Sequence, residues 1–540
     1  MRSGRISVAS LALALAACEV GPNYEQPKVN VPASFIGAKD AAVAETDAGA
    51  DLSVWWRQFG DPMLDRLIGQ ALAQNLDILT AAARISETRE QEIINGAAGL
   101  PSVSAMGSAV RIHSNSSPFA QLLGGGAGPP AGASAGSGSQ SGSSGSAAAG
   151  GSTGSGSASG GSAGSGTGAV SATPVPASGG STIKLYSLGF DATWEIDFFG
   201  GVARNVETAE AKTQAAIWTL RDTEVTLTAE VARDYFALRE AQARIAILNA
   251  ELAGQRETLA VSSAKAMTGF VSYLDVNQAS AQEAETAAGI PPLEAEIRVN
   301  IDALGVLLGI APEDVAAEIT GGGAAPPVPA ALPVGLPSDL LRRRPDIREA
   351  ERNLASATAL VGNAMAQLYP KFDIIGLASF TSNSLGTLLE TKNLTYGGIG
   401  LINWPIFTAG RLQATVRQKE DQENEAYFSY KASILKALQD AEDSLARYTA
   451  DRRRLIELNR QVTAATAAVT IARQQYNVGL TDFVNVLNTQ GTLLHAEDEQ
   501  VQTQSAVAAD LASLYKALGG GWTDAIPAVT GPATAAANPS

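Results

Sequence analysis

Residues 411–478 contain neither glycine nor proline, the two residues that fit worst inside a helix. A stretch of 68 residues without them predicts one continuous helix, about 100 Å long at 1.5 Å per residue. Residues 202–268 contain one glycine, Gly254, and no proline, and their apolar residues recur three or four apart. A second helix of the same kind is therefore expected. Both predicted helices are several times longer than an ordinary helix of a globular protein. This length favours extended helical hairpins over a compact core.

The two long segments belong to an internal repeat. Three pairs of positions are each separated by 210 residues: Trp194 and Trp404, Gly269 and Gly479, Gly309 and Gly519. Nearer the N-terminus, Asp77 matches Asp346 at a separation of 269. The difference of 59 residues equals the length of a Gly/Ala/Ser-rich tract at 124–182. Because Gly/Ser-rich chains behave as flexible coil, we expect this tract to be a surface loop inserted in the first copy only.

A pair of strands is expected before each long helix. Residues 183–194 alternate, with Tyr186 and Trp194 on one face, and 396–406 repeat the pattern with Tyr396 and Trp404. A tyrosine and a tryptophan eight residues apart lie about 26 Å apart along a strand, close to the apolar band of a membrane β-barrel between its aromatic girdles. These four aromatics are the predicted girdle; a soluble sheet with one wet face is the alternative. The partner strands are expected at 101–112 and 371–382.

Four strands per chain cannot close a membrane barrel. Single-chain barrels begin at eight strands, and open sheet edges are not tolerated in lipid. If these strands span a membrane, the chain must oligomerise, and a trimer would supply twelve strands.

The N-terminus contains the only cysteine. Arg2 and Arg5 precede an apolar stretch from Ile6 to Ala17 that is too short to span a bilayer and is typical of a signal peptide. The stretch ends Leu15-Ala16-Ala17-Cys18, which is similar to a bacterial lipobox. We expect residues 1–17 to be removed and Cys18 to carry a covalent lipid. An incidental thiol behind an ordinary signal peptide is the alternative.

Composition excludes several function classes. The net charge of −16 argues against a nucleic-acid partner. One cysteine and two distant histidines, His113 and His495, argue against a metal centre. No paired carboxylates or nucleophile triad emerges, so we expect no enzyme activity and no cofactor other than the lipid on Cys18.

Four motifs together resemble the TolC family of outer membrane efflux factors, in the lipoprotein branch (NodT/OprM-like) that serves resistance-nodulation-division pumps. They are the segments at 18–24 (CEVGPNY), 56–62 (WRQFGDP), 336–346 (LPSDLLRRRPD) and 475–479 (QYNVG).

The resemblance implies an α+β membrane protein. Its expected form is a homotrimer with a twelve-stranded outer membrane β-barrel, four strands per chain, continuous with a long periplasmic α-helical barrel. The implied function is the exit channel of a tripartite efflux pump in a Gram-negative bacterium, passively conducting drugs or other small molecules. The implied partners are outer membrane lipid, a periplasmic adaptor (membrane fusion) protein and the inner membrane pump.

The resemblance also assigns roles at the hairpin tips. Tyr476 matches the tyrosine of a gating hydrogen bond, and Asp275 matches its aspartate partner. At other gate positions this chain has neutral residues where the family has charged ones: Asn485 and Asn488 replace aspartates, and Thr481 replaces an arginine. Asp482, next to Thr481, could still supply negative charge. The expected adaptor contacts are Gly269, Phe270, Val271, Val478, Gly479 and Leu480. Ordinary capping and solvation of helix ends is the alternative for these tip residues.

The expected organisation follows from the repeat. It comprises a signal peptide (1–17), a lipidated N-terminal segment (18–60), repeat 1 (61–310, with a low-complexity extracellular loop at 113–182 and a helical hairpin at 202–310), a linker (311–337), repeat 2 (338–520, with a hairpin at 408–518) and a flexible tail (521–540). The return helices are expected at 272–308 and 482–518. The competing interpretation is a non-channel periplasmic coiled-coil lipoprotein, such as a scaffold or adaptor, which has no need of aromatic-flanked strands.

Overall fold

The computed structural model describes residues 19–32, 34–36, 52–114, 181–319, 323 and 342–526. The predicted signal peptide, Cys18, almost all of the 124–182 tract, most of the predicted linker and residues 527–540 lie outside the described residues. The described chain divides into two compact units. The helical unit takes its residues from 1–101, 194–373 and 401–540, and the sheet unit from 102–193 and 374–400.

The helices account for most of the helical unit. A short 3-10 helix, Leu52–Phe59, comes first. The α-helices that follow are α1 (Pro62–Gln74), α2 (Leu76–Ala97), α3 (Gly201–Met267), α4 (Tyr273–Ala288), α5 (Ile290–Leu308), α6 (Pro312–Glu318), α7 (Pro345–Ala366), α8 (Arg411–Asn477) and α9 (Phe483–Ala517). In the described part of the chain, none of the helices is both long and apolar enough to cross a bilayer.

The two long helices are confirmed to within a residue of their predicted ends. Helices α3 and α8 have 67 residues each, which corresponds to about 100 Å. Gly200 and Gly410 precede them with φ of 77° and 81°, a left-handed conformation that glycine adopts without steric cost. Each helix therefore starts where a glycine lets the backbone turn.

The first return helix differs from its prediction. The expected single helix at 272–308 is two helices, α4 and α5, which meet at Gly289. Pro291 lies in the first turn of α5, where the missing N–H costs nothing, whereas in a helix interior it would remove a hydrogen bond. The second return helix has no proline and runs unbroken as α9.

The four predicted strands are present. They are β1 (Ser102–Ser114), β2 (Ser181–Ile196), β3 (Lys371–Ser382) and β4 (Leu394–Asn403), paired in the order β1-β2-β3-β4. Strands β1 and β2 are antiparallel, in register from Ser102 opposite Thr193 to Ser114 opposite Ser181. The predicted strand 396–406 was too long at its C-terminal end: β4 stops at Asn403, because Pro405 cannot donate to a strand ladder.

The largest apolar core joins the 3-10 helix to α1, α3 and α9. Trp55 is fully buried and stacks on Tyr515 of α9 with ring centroids 5.1 Å apart. Asp61 accepts hydrogen bonds from the Met63 amide, at 2.9 Å, and from the Tyr235 hydroxyl of α3, at 2.5 Å. The WRQFGDP segment therefore caps α1 and fastens it to the long helix.

The N-terminal strap, residues 19–32 and 34–36, lies against α3, α7 and α8. Its first residues contact Arg204, near the start of α3. Farther along, the Tyr24 hydroxyl donates to Glu351 of α7 at 2.7 Å, and the Ile36 amide donates to Glu442 of α8 at 2.6 Å. The strap is therefore part of the packed fold of the helical unit.

Candidate functional site

The tips of the two helical hairpins are built alike. At the end of α3, Gly269 has φ of 76°, and the Phe270 amide donates to the Lys265 carbonyl at 2.9 Å. At the end of α8, Gly479 has φ of 77°, and the Leu480 amide donates to the Gln475 carbonyl at 2.8 Å. A left-handed glycine with this bonding is a Schellman-type helix end, and it turns the chain into the return helix.

Tyr476 anchors one tip to the other. Its side chain is buried in a small apolar cluster with Phe483 and Val486 of α9 and Ala279 of α4. The Tyr476 hydroxyl lies 3.3 Å from the Ser262 hydroxyl of α3. The Lys265 ammonium lies 4.3 Å from the centroid of the tyrosine ring and donates to the Tyr476 carbonyl at 3.2 Å. The ends of α3 and α8 are thus joined by apolar packing, a hydroxyl pair and a cation held against a ring.

Asp275 does not receive the expected hydrogen bond within the chain. Among the described residues, the Tyr476 hydroxyl is paired with Ser262 and not with Asp275. Asp275 lies in the first turn of α4, where an anionic side chain is stabilised by the helix N-terminus. The tyrosine ring is drawn instead into the apolar cluster.

The other predicted gate residues lie at the start of α9. Asp482 is the exposed N-cap residue, and its side chain makes no capping hydrogen bond. The Asn485 amide donates to the Thr481 hydroxyl at 2.9 Å, and both Asn485 and Asn488 are exposed. The structure therefore groups these four residues at one tip.

Sequence reasoning missed Ser262 and Lys265. Lys265 lies in the last turn of α3, where a basic side chain commonly stabilises a helix C-terminus, so nothing in its position indicated a contact with another hairpin. Ser262 lies in a run of small residues and gave no signal.

The predicted adaptor-contact residues form exposed apolar tips. Phe270 is 84%, Val478 70% and Leu480 77% exposed, while Val271 is half-buried. Exposed apolar side chains in a cluster mark interaction surfaces more often than isolated ones do.

The predicted girdle aromatics are on or beside the strands. Tyr396 is exposed on β4, and Tyr186 is half-buried on β2. Trp194 lies near the end of β2 and Trp404 just beyond β4, and both are exposed. Their indole N–H groups donate to the carbonyls of Gly99 at 3.0 Å and Leu368 at 3.2 Å, respectively. Each tryptophan therefore keeps its polar edge bonded while its rings remain accessible.

Within the described ranges, no group of three or more His, Cys, Asp and Glu side chains is placed to hold a metal ion. The predicted lipidation residue, Cys18, lies immediately before the first described residue, Glu19.

Comparison with known proteins identifies the family. The sequence model described as "Outer membrane efflux protein" matches residues 146–309 and 336–520. The chain is 28% identical over 525 residues to nodulation protein T of Rhizobium leguminosarum bv. trifolii, covering 97% of this chain and 98% of that protein. It is 30% identical over 527 residues to the pyoverdine export outer membrane protein OpmQ of Pseudomonas aeruginosa, covering 97% of this chain and 98% of OpmQ.

The fold has a solved counterpart. The structure of the outer-membrane channel OprN superposes with a TM-score of 0.76 at 30% identity, covering 94% of this chain and 100% of OprN. From the family match and these two relatives at 28–30% identity along nearly the whole chain, the chain belongs to the outer membrane efflux protein family.

Proposed function

We propose that this chain is the outer membrane exit channel of a tripartite efflux pump, and that it passively conducts small molecules delivered from the periplasm. The observation that carries the proposal is the sheet unit. It has four strands in one row, with β1 and β4 at its edges, and it exposes large apolar side chains along the strands.

The exposed apolar side chains of the strands come from all four of them. Among them are Val103, Met106, Leu188, Phe190, Ile374, Leu377, Tyr396, Ile399 and Ile402. Soluble monomers rarely expose a large contiguous apolar patch. Val103, Leu188 and Phe190 form an exposed apolar row on one face of β1 and β2, because Val103 is opposite Ala192 and side chains alternate between the faces. Lipid contact would account for it, whereas a periplasmic scaffold would leave it in water.

The two sheet edges support a trimer. Open edges are not tolerated in the hydrocarbon layer, and one sheet of four strands cannot close on itself. Three copies, joined from β4 of one to β1 of the next, would form a closed twelve-stranded barrel, within the range of known membrane barrels. The long helices of the three copies would then form the periplasmic conduit.

The hairpin tips are the proposed gate. Tyr476, with Ser262 and Lys265, holds the two hairpins of one chain together. The other residues of the proposed gate are Asp275, in the first turn of α4, and Thr481, Asp482, Asn485 and Asn488, at the start of α9. The exposed tips, Gly269 to Val271 and Val478 to Leu480, are the proposed contact with a periplasmic adaptor protein, which in turn meets an inner membrane pump of the resistance-nodulation-division type.

We also propose that the two halves of the chain are copies of one unit. Three pairs of glycines that are 210 residues apart share a positive φ: Gly200 and Gly410, Gly269 and Gly479, Gly309 and Gly519. The family model matches the chain in two segments. A duplicated unit would give each protomer two hairpins and two strand pairs, so the trimer would have near six-fold repetition.

Acylation of Cys18 is proposed from its lipobox. Because a single acyl chain gives only marginal binding, several chains on one cysteine would hold the protein stably at the membrane.

Reconstitution tests the channel. The full chain, purified from outer membranes, is measured by native mass and then in planar bilayers, beside a variant with the tip contacts removed (Lys265→Met with Tyr476→Leu). We expect a trimeric mass for both chains and discrete single-channel steps that increase in conductance or open probability in the variant. A monomer, or a trimer that conducts in neither form, would contradict the proposal.

A further inference from the structure

We infer that a cavity of the helical unit, beside the start of α3, binds the glyceryl ester end of the lipid on Cys18. This inference rests on the acylation of Cys18 proposed above. It adds a binding site within the protein for a group that would otherwise be held only by the membrane.

The cavity has the size and lining of a small-molecule site. Its volume is about 500 Å³, within the usual range for ligand pockets. Its lining includes the aromatic residues Phe198, Phe199 and Tyr369 and the amide residues Asn205, Asn363 and Gln367. Four charged residues, Glu195, Asp197, Lys371 and Arg411, also line it, and Lys371 is paired with Glu195 at 2.9 Å. Phe198 is 38% and Tyr369 is 40% exposed, so both rings have surface that no described residue covers.

The first described residues of the strap, Glu19 and Val20, lie beside this cavity. The Val20 amide donates to the Phe199 carbonyl at 3.3 Å. A Cβ built on Gly200 would lie 2.7 Å from Cγ and 3.3 Å from Cα of Glu19. Glu19 therefore lies beside Phe199 and Gly201, which both line the cavity, and a lipid on Cys18 would be attached to the residue that precedes Glu19 in the sequence.

Arg204 fixes this end of the strap. Its side chain is only 2% exposed. It donates to the carbonyls of Val20 and Gly21, at 3.4 and 3.5 Å, and to the Asn23 side chain at 2.7 Å. It also lies 3.4 Å from the Glu19 carboxylate. A buried guanidinium with several donors engaged holds a planar, specific arrangement, so Arg204 positions Glu19 and Val20, the strap residues that follow Cys18 in the sequence.

The chemistry of the lining matches a lipid at its ester linkages. The first methylenes of the acyl chains need apolar contacts, which the stacked Phe199 and Tyr369 rings, 4.7 Å apart, provide. Ester carbonyls accept hydrogen bonds but do not donate them. The Asn363 amide already donates to the Gly201 carbonyl and the Gln367 amide to Asn363, which orients both groups, and each NH₂ has a second hydrogen to give.

Photo-crosslinking tests the site. Phe198 is replaced by p-benzoylphenylalanine in the full chain, and the cells are fed an alkyne-bearing fatty acid. The matched control carries the same substitution at Phe428, an exposed phenylalanine of α8 that does not line the cavity. A third chain combines the Phe198 substitution with Cys18→Ser behind a non-lipoprotein signal peptide, so that all alkyne in those cells is in free lipid.

The expected product joins the tryptic peptide that contains Phe198 to the acylated peptide 18–28. We expect the yield of this product to be at least ten times that of the Phe428 control, and we expect no such product with Cys18→Ser. Arg204→Gln, or Gly21→Ala if that chain does not fold, should lower its yield several-fold. A crosslink that persists with Cys18→Ser would mean that a free phospholipid occupies the cavity. An acylated chain that gives no crosslink would mean that the lipid on Cys18 does not bind there. Either result overturns the inference. An unlabelled Cys18 would overturn the acylation proposal together with the inference, while channel conductance would stand as a separate result.

Discussion

The ammonium of Lys265 lies 4.3 Å from the centroid of the Tyr476 ring and 3.2 Å from the carbonyl oxygen of the same residue. One cation thus binds both the side chain and the backbone of the residue three positions before Gly479. Because Lys265 lies in the last turn of α3 and Tyr476 in the last turn of α8, the contact ties the two hairpins of a chain at their tips. Any outward movement of one hairpin past the other must break it.

Removing the Lys265 ammonium should weaken the contact between the ends of α3 and α8. A cation over an aromatic ring contributes about 0.5–2 kcal/mol, depending on its exposure. The three copies of a trimer would each lose this contact, so we expect Lys265→Met to raise the open probability of single channels several-fold. The matched control is Lys436→Met, which removes an exposed lysine of α8 that pairs with Asp440. Equal open probabilities for the two variants would show that the lysine does not restrain the tip.

The same single-channel recordings show whether the Tyr476 hydroxyl is bonded to Ser262 or to Asp275. Tyr476→Phe loses only the 3.3 Å contact with Ser262, so its effect should be smaller than that of Lys265→Met, and Asp275→Asn should leave the open probability unchanged. If Asp275→Asn opens the channel as much as Lys265→Met, the tyrosine is bonded to the aspartate in the assembled protein, as the family resemblance implies.

Gly21 should be required for seating of the strap. It has φ of 105°, and an added Cβ would lie 2.5 Å from the Cα of Gly362, a contact that forces the backbone to move. Gly60 also has a positive φ, 63°, but an added Cβ would meet nothing within 4 Å. Both alanine variants therefore place an L residue at a positive φ, but the φ of Gly21 lies outside the left-handed region that L residues can adopt, and only Gly21→Ala adds a clash.

Hydrogen exchange measures that difference. The amides of Val20, residue 21, Asn23 and Tyr24 should exchange at least tenfold faster in Gly21→Ala than in wild type and remain near the wild-type rate in Gly60→Ala. Similar exchange rates in the two variants would mean that the approach of Gly21 to Gly362 does not hold the strap.

Stability should fall as pH rises through the titration of Asp510. Burial, and the neighbouring Asp451 carboxylate that hydrogen-bonds to it, raise the pKa of Asp510 from 3.8 to about 7. The folded chain holds this proton more tightly than the unfolded chain does, so protonated Asp510 adds to the free energy of unfolding. This contribution is fully present below about pH 4 and is lost between about pH 4 and 7. Arg447 opposes the shift, and the carboxyl is partly exposed.

Asp510→Asn should remove this dependence. The free energy of unfolding in urea should exceed that of wild type by about 1–2 kcal/mol at pH 8, allowing for solvent screening, and match it near pH 4. Asp443→Asn, which changes an exposed carboxyl of α8, is the control and should move neither value. A variant that loses stability equally at both pH values would show that the carboxyl contributes packing or hydrogen bonds and not a titration.

Deleting residues 124–178 should leave assembly intact. Ser114 of β1 and Ser181 of β2 are paired in register, so a short connection can join them. Each halving of a flexible loop lowers its closure cost by about 0.6 kcal/mol, so the shortened chain should be at least as stable as wild type. Yield and thermal stability of the trimer in detergent test this, and a loss of trimers on deletion would assign the tract a structural role.

The sequence predicted the long helices well because their ends are set by local chemistry. Glycines at 200, 269, 410 and 479 turn the backbone, and the segments between them contain almost nothing that breaks a helix. The break at Gly289 was not predicted, although Pro291 is a local signal for the start of a helix. The overlong prediction for β4 neglected Pro405 in the same way.

Contacts between distant segments were harder to predict. Neither Ser262 nor Lys265 differs in type or position from an ordinary helix residue, and their role depends on where the buried ring of Tyr476 lies. The strap was expected as a lipidated segment, but its docking on Arg204 depends on a buried arginine that no spacing in the sequence distinguishes from an exposed one.

Disulfide trapping between sheet edges tests the channel account most directly. One cysteine is placed on β1 and one on β4 of the same chain, scanned over residues 103–109 and 395–401, and crosslinked oxidatively in outer membranes. The control pair is Val103→Cys with Ala192→Cys, which are opposite each other on β1 and β2 and should crosslink only within the chain. We predict covalent trimers for at least one β1–β4 pair and for neither single cysteine. Monomers at every pair, in chains whose control pair crosslinks normally, would contradict a barrel closed by three copies.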